Sequence, residues 1–363
     1  MQHLVPNISH KVKRRLFMLT ARQNLLETIK GGNPDRLVNQ YEPFKLLFNP
    51  SGLHSASPKK GGPAVVDAWG VTRAFPENVP GAFPVHTPDK IVIKDIEHWR
   101  DYVKFPDLNF PEEEWDMFKK QYDEVDRDKA FATTFFAPGF FEHSHYLSEI
   151  TNALIYYMED EDEMHDLINS IADWELELVK MVCDKLHPDA VLHHDDWGSE
   201  TNSFLRPEMF KDYFLEPYQR VYGYMHDHGV QVIVHHSDSY CANLVPTMIE
   251  MGIDIWQGAM HTNNIPELLK QYGPQMSIMG GIDNKFCDFA GATPEDAYNA
   301  TERLIAECGT KYYIPCITQG GPGSVYPGVY NHIGDEIRKY NQEHYGFTPE
   351  EQLAAAIPET IMF

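Results

Sequence analysis

From about residue 130 onward the chain alternates short apolar, β-branched runs with stretches of helical periodicity. The runs are FATTFF (131–136), AVLHHDDW (190–197), VQVIVHH (230–236), IDIWQG (253–258), MSIMGG (276–281) and KYYIPC (311–316); RLVNQYE (36–42) makes a seventh and leaves one strand unplaced. Continuous apolar strands separated by helices predict a parallel sheet covered on both faces. So many units in succession favour a closed (β/α)8 TIM-type barrel over an open doubly wound sheet. A helix is predicted from Thr20 to Lys30, capped by Thr20 and stopped by Gly31-Gly32 ahead of Pro34, as a lid or a barrel-bottom helix. A second, amphipathic one spans Glu159 to Lys185, with Met164, Leu167, Ile168, Ile171 and Trp174 on its apolar face. Residues 49–88 are rich in Gly, Pro, Ser and Lys around a VVDAWGV segment and read as a long functional loop. The expected organisation is an N-terminal arm and helix (1–32), one barrel (33–345) and a C-terminal tail (346–363).

Composition narrows the function. The 30 Lys and Arg against 54 Asp and Glu give a formal charge of −24, which repels nucleic acid and suits a neutral or cationic small molecule. No apolar stretch approaches the roughly 20 residues of a membrane span, so the expected location is cytoplasmic. The five cysteines are odd in number and irregularly spaced, as for reduced thiols rather than a disulfide framework. Lys11, Lys13, Arg14 and Arg15 form a basic cluster that reads as a solvated arm. No G-x-G-x-x-G or P-loop follows any strand.

In such a barrel the reacting groups sit at the C-terminal ends of strands. Polar residues gather there: His193, His194, Asp195 and Asp196; His235, His236, Ser237 and Asp238; Trp256 and Gln257; Cys316. Strand alternation lets only about half of each group face the mouth. Asp196, His236, Asp238 and Cys316 are the candidates chosen. Imidazole, carboxylate and thiolate converging from different strands suit zinc, although no local ligand motif demands it; a buried hydrophobic Cys316 and carbonyl-bonded histidines are the alternative. Phe140, Trp197, Tyr240 and Gln257 are candidate pocket residues, with a core role open for the aromatic ones.

Seven segments, NPDR (33–36), VVDAWGV (65–71), APGFFEHSHYL (137–147), HHDDWGSETNSFLRPEMFKDYFLEPYQRVY (193–222), HHSDS (235–239), MIEMGIDIWQ (248–257) and GGID (280–283), together resemble the successive motifs of the uroporphyrinogen decarboxylase superfamily. That resemblance implies either porphyrinogen decarboxylation or corrinoid-linked methyl transfer. The decarboxylases carry an arginine-rich segment after the NPDR position, where this chain has LVNQYEPF (37–44); the methyltransferase branch is the better match. In its zinc members a His-x-Cys pair and a later Cys bind the metal, and the matching positions here are His236, Asp238 and Cys316, with Glu200 a spare ligand. The segment IPCITQGGPGSVYPGVY (314–330) resembles, more loosely, that of O-demethylating members. The resemblance implies a methyl group moving from a small donor, such as an aryl methyl ether, to the cob(I)alamin of a separate corrinoid protein, with zinc as Lewis acid and Asp196 or Asp238 handling the proton. Transfer from methylcobamide to a thiol is the alternative direction. A homodimer is compatible with the family.

Overall fold

The computed structural model describes residues 18–79, 81–319 and 325–358. The basic arm at 11–15 lies outside them.

Seven parallel strands form one sheet in sequential order: β1 (Phe44–Leu47), β2 (Phe131–Phe136), β3 (Ala190–His194), β4 (Val232–His236), β5 (Ile255–Ala259), β6 (Ser277–Ile282) and β7 (Tyr313–Ile317). The architecture is the α/β barrel expected, with helices on the outside of a curled sheet. Six of the seven anticipated runs coincide with these strands to within three residues at either end. The first does not: residues 36–42 are buried but not a strand, and β1 follows them. The cause is local, because Gln40 adopts φ 50°, a left-handed conformation that extended pairing does not allow. A turn through Asn39 and Glu42 then swings the chain into β1, and Gln40 N–H donates to Pro315 O of β7 at 3.2 Å, bridging the first and last strands. No eighth strand joins the sheet among the described residues.

The helix Ala21–Ile29 has the expected Thr20 capping box. Its Arg22 N–H bonds Lys129 O just before β2, and Thr28 O accepts from Tyr312 N–H just before β7, so it closes the bottom of the barrel. The amphipathic helix runs Glu161–Leu186, with Met164, Leu167, Ile168 and Ile171 fully buried. The C-terminal segment is docked as far as it is described, to residue 358. Its helix Pro349–Ala355 buries Gln352, which accepts from Asn341 and donates to the carbonyls of Arg338 and Phe347. The loop after β1 holds a small antiparallel sheet (Val65–Val66, Thr72–Ala74, Phe83–Pro84) at the same end of the barrel as the strand C-termini. No helix of the described residues is long and apolar enough to cross a membrane, and all five cysteines are free.

Candidate functional site

Register and alternation build the site. β3 and β4 pair so that His194 lies beside His236 and His193 beside His235; β4 and β5 set His236 beside Gln257. Paired residues share a face and successive residues oppose one another. His194, His236 and Gln257 therefore look into the barrel mouth, while His193 and His235 look outward to the helices.

On the inner side, the imidazoles of His194 and His236 stack at 4.4 Å between centroids. Asp196, two residues beyond the end of β3, reaches both: Oδ2 lies 3.9 Å from His194 Nε2, and Oδ1 lies 3.9 Å from His236 Nε2. One ligand atom from each of the three residues falls within 4.8 Å of the others. In both histidines the opposite nitrogen is already engaged. His194 Nδ1 meets Glu142 Oε2 at 2.7 Å, and His236 Nδ1 bonds Gln257 Oε1, whose amide nitrogen donates to Ile317 O at 3.4 Å. An Nδ1–H held by an acceptor fixes the tautomer that leaves Nε2 free as a ligand, the outer-shell arrangement of metal-binding histidines. Two imidazoles and a carboxylate match the protein ligands of a catalytic zinc site in donor type and number. These residues fit a divalent metal.

The electrostatics divide the two imidazoles, and a metal binding at His194 Nε2 would have to displace a proton there. Burial works against a charge on His194, yet Glu142, Asp196 and Asp238 outweigh it and hold the imidazole up at about 10. Burial and the neighbouring His194 push His236 down to about 4, leaving it a neutral donor. Asp238 is pushed well above the usual carboxylate range by burial and by Asp196; its backbone N–H donates to Asp196 Oδ1 at 3.0 Å. Its carboxyl, at the rim of the cluster, is thereby biased toward the protonated form. Burial raises the Cys316 thiol well above its ordinary value, against a hydrogen bond from Gln257.

Of the residues chosen from sequence, the structure brings together Asp196, His236 and Asp238. Cys316 is wholly buried and linked to His236 only through Gln257, outside the three-residue ligand group. Glu200 stands apart at the surface, paired with Lys285 at 3.6 Å. Gln257 orients His236 and is itself fully buried. Tyr240 anchors a turn through its N–H to Ser199 O. Phe140 and Trp197 are core residues, not mouth residues. Phe140 packs on Tyr218 at 4.4 Å, and Trp197 stacks on outward-facing His235 at 3.9 Å while its indole N–H donates to Asp195. Two members of the site escaped the sequence reading. His194 lies two residues before Asp196 and so on the same side, a signal that alternation supplied. Glu142 comes from the helix Phe140–Ser148 and reaches His194 only through the tertiary fold.

The neighbouring Asp195 builds the frame. Its carboxylate caps that same helix, accepting from Phe141 N–H at 3.0 Å and Glu142 N–H at 2.8 Å, and also from Tyr218 OH at 2.5 Å and Trp197 Nε1 at 2.9 Å. Gly139 makes this approach possible, since a Cβ there would fall 2.4 Å from Asp195 Cβ.

A parallel α/β barrel with imidazole and carboxylate groups at its strand C-termini defines a class of catalytic scaffold. The sequence model of the Uroporphyrinogen decarboxylase (URO-D) family matches residues 65–327, and the chain belongs to that family. Among solved structures it is similar to a methyltransferase from Methanosarcina mazei, with a TM-score of 0.62 and 11% identity, covering 89% of this chain and 99% of that one. A sugar phosphate isomerase/epimerase from Parabacteroides distasonis shares 10% identity over 63% of this chain and 77% of its own, with a TM-score of 0.32. No curated protein sequence matches significantly.

Proposed function

We propose that this protein is a methyltransferase that moves a methyl group from a small donor, an aryl methyl ether in the first instance, to the cob(I)alamin of a separate corrinoid protein. The observation that carries the reading is the His194, Asp196 and His236 cluster at the barrel mouth, in a chain of the URO-D family. The likeness of the fold to a methyltransferase supports it. Decarboxylation of a polycarboxylate suits the site poorly. The groups facing one another are Glu142, Asp196, Asp238 and two imidazoles, and the arginine of the NPDR segment, Arg36, is fully buried against Asp35 and Leu19 O.

His194, Asp196 and His236 would hold zinc, and Cys316, fixed in the wall behind Gln257, is not needed as a ligand. A metal held there would supply Lewis acidity toward the departing donor oxygen. Glu142 and Gln257 keep the two imidazoles in the binding tautomer. Asp238, beside Asp196 and biased toward its protonated form, would give its proton to that oxygen as the methyl carbon passes to the partner's cobalt. The corrinoid protein docks over the mouth, where Phe204, Phe286 and Tyr326 are exposed on the segments that follow β3, β6 and β7. The test is spectral: purified chain, cob(I)alamin and a panel of methoxyarenes and methylamines. Donor-dependent formation of methylcob(III)alamin is expected; its absence with every donor, together with carbon dioxide release from a porphyrinogen, would replace this reading with decarboxylation.

A further inference from the structure

The N-terminal ends of the strands in such a barrel ordinarily serve stability rather than chemistry. A cavity of about 430 Å³ nevertheless opens there, beside the first residue of β1, the approach to β2, the helix Val329–Tyr345 and the C-terminal helix Pro349–Ala355. Its apolar walls are Tyr41, Phe44, Tyr330, Leu353, Ala356 and Ile357. An apolar cavity of about 150 Å³ accommodates benzene, so this one has room for a chain of roughly six carbons together with a polar head.

Four polar side chains share the cavity: Asn39, Glu42, Lys129 and Arg338. The Asn39 amide is spent on Gly334 O at 2.9 Å, and Glu42 Oε1 accepts from Asn39 N–H at 3.1 Å. Burial raises the Glu42 carboxyl against the pull of Arg36 and Arg338, which biases it toward its protonated form and makes it a donor. The Arg338 guanidinium is largely covered, and among the described residues it bonds Asp335 through one nitrogen, at 2.8 Å. Lys129 Nζ stands 4.0 Å from Asp126, at the limit of an ion pair. Both of those aspartates are exposed on the solvent side, where screening weakens their hold. Behind Glu42, the fully buried Arg36 keeps two nitrogens without hydrogen-bond partners, one of them 3.8 Å from Glu42 Oε1. In a chain of formal charge −24, the groups that face this cavity are thus two cations and a carboxyl biased toward neutrality.

We propose that this cavity binds a small aliphatic monocarboxylate, its chain along the apolar walls and its carboxylate held by Arg338, Lys129 and the Glu42 carboxyl. A guanidinium and an ammonium give a carboxylate charge-assisted hydrogen bonds, the strong kind. Apolar walls with a few polar groups at one end, in a volume of this order, are the usual build of a small-molecule site. The cavity lies at the opposite end of the strands from the His194, Asp196 and His236 cluster, so it stands independently of the methyl-transfer reading.

The experiment is a calorimetric titration of the full chain with hexanoate, 1-hexanol and hexylamine, which share a carbon chain and differ in the head group. Hexanoate should saturate one site per chain and bind at least about tenfold more tightly than 1-hexanol, the worth of a charge-assisted hydrogen bond. Arg338→Gln should abolish that preference. Lys129→Gln, at a half-exposed position where the fold tolerates it, should weaken hexanoate by about threefold and leave 1-hexanol unchanged, and it decides the matter should Arg338→Gln fail to fold. Leu353→Ser, on the exposed lip, should weaken both ligands by about threefold through lost apolar contact. Asp196→Asn should bind hexanoate as the wild type does. No saturation, equal affinity for hexanoate and 1-hexanol, tighter binding of hexylamine, or wild-type affinity for hexanoate in Lys129→Gln would overturn the proposal. Loss of hexanoate binding in Asp196→Asn would overturn it as well, by placing the acid at the barrel mouth.

Discussion

His193, Asp195 and His235 alternate along the same two segments with His194, Asp196 and His236, yet the two sets lie in different worlds. The inner set carries unspent ligand atoms: two Nε2 nitrogens 3.9 Å from Asp196. The outer set is engaged in structure. Tyr222 OH lies 3.1 Å from His193 Nδ1 and 2.7 Å from His235 Nδ1, and Asp195 accepts four hydrogen bonds. Identical residue types one position apart thus divide into chemistry and architecture, and the pleat of the strand makes the division. A dense run of His and Asp in sequence is not a site until alternation has halved it.

That contrast is open to breakage. Asp196→Asn should fold with stability within about 1 kcal/mol of the wild type and lose roughly 10²- to 10⁴-fold in turnover; a normal rate in the spectral assay would move Asp196 into the architectural set. Asp195→Ala should do the opposite, orphaning four buried donors and lowering stability by about 4 kcal/mol or more in urea unfolding. Glu142→Gln sits between them, since it keeps the helix cap but weakens the hold on His194. Its zinc affinity should fall about 10- to 100-fold by competitive chelation, with little change in unfolding.

The smallest effect is a pair of pH dependences of opposite sign among the histidines, read in metal-free protein. His193 is buried neutral and pushed down to about 3, and His235 well below its ordinary 6.5. Unfolding releases them to bind protons, so their contribution is complete above about pH 6.5 and is lost as pH falls, by up to about 1 kcal/mol per pH unit for each ring. His194 is raised to about 10, so its contribution is complete below 6.5 and fades as pH climbs toward 10. Because its side chain is 32% exposed, that alkaline limb should be the shallower. Urea midpoints from pH 5 to 9 should show both limbs, and His194→Gln should flatten the alkaline one alone.

The fold was largely legible because parallel strands buried on both faces are continuous apolar runs, and six of them overlap observed strands. The run at 36–42 misled because its burial is real: Leu37 and Val38 are fully covered, but Gln40 turns the backbone out of the extended region, which no hydrophobic pattern records. Cap chemistry at Thr20 was readable locally. Within the site, Asp196 and His236 came from strand ends, and His194 was available from the same alternation. Glu142 was not, because its helix reaches the mouth only through Asp195 and Gly139. Trp197 and Phe140 were misassigned to the pocket for a related reason, since their side chains follow Asp195 to the helix side. The segment at 49–88, read as a functional loop, contributes Asn49, Asp67, Trp69 and Arg73 to a cavity that Trp174 also lines.

X-ray absorption at the zinc edge on metal-loaded protein tests the central claim most directly. The account predicts a first shell of nitrogen and oxygen only, with imidazole outer-shell scattering from two rings, unchanged in Cys316→Ser. A sulfur shell at about 2.3 Å that disappears in Cys316→Ser would contradict it and return the metal to His236 and Cys316.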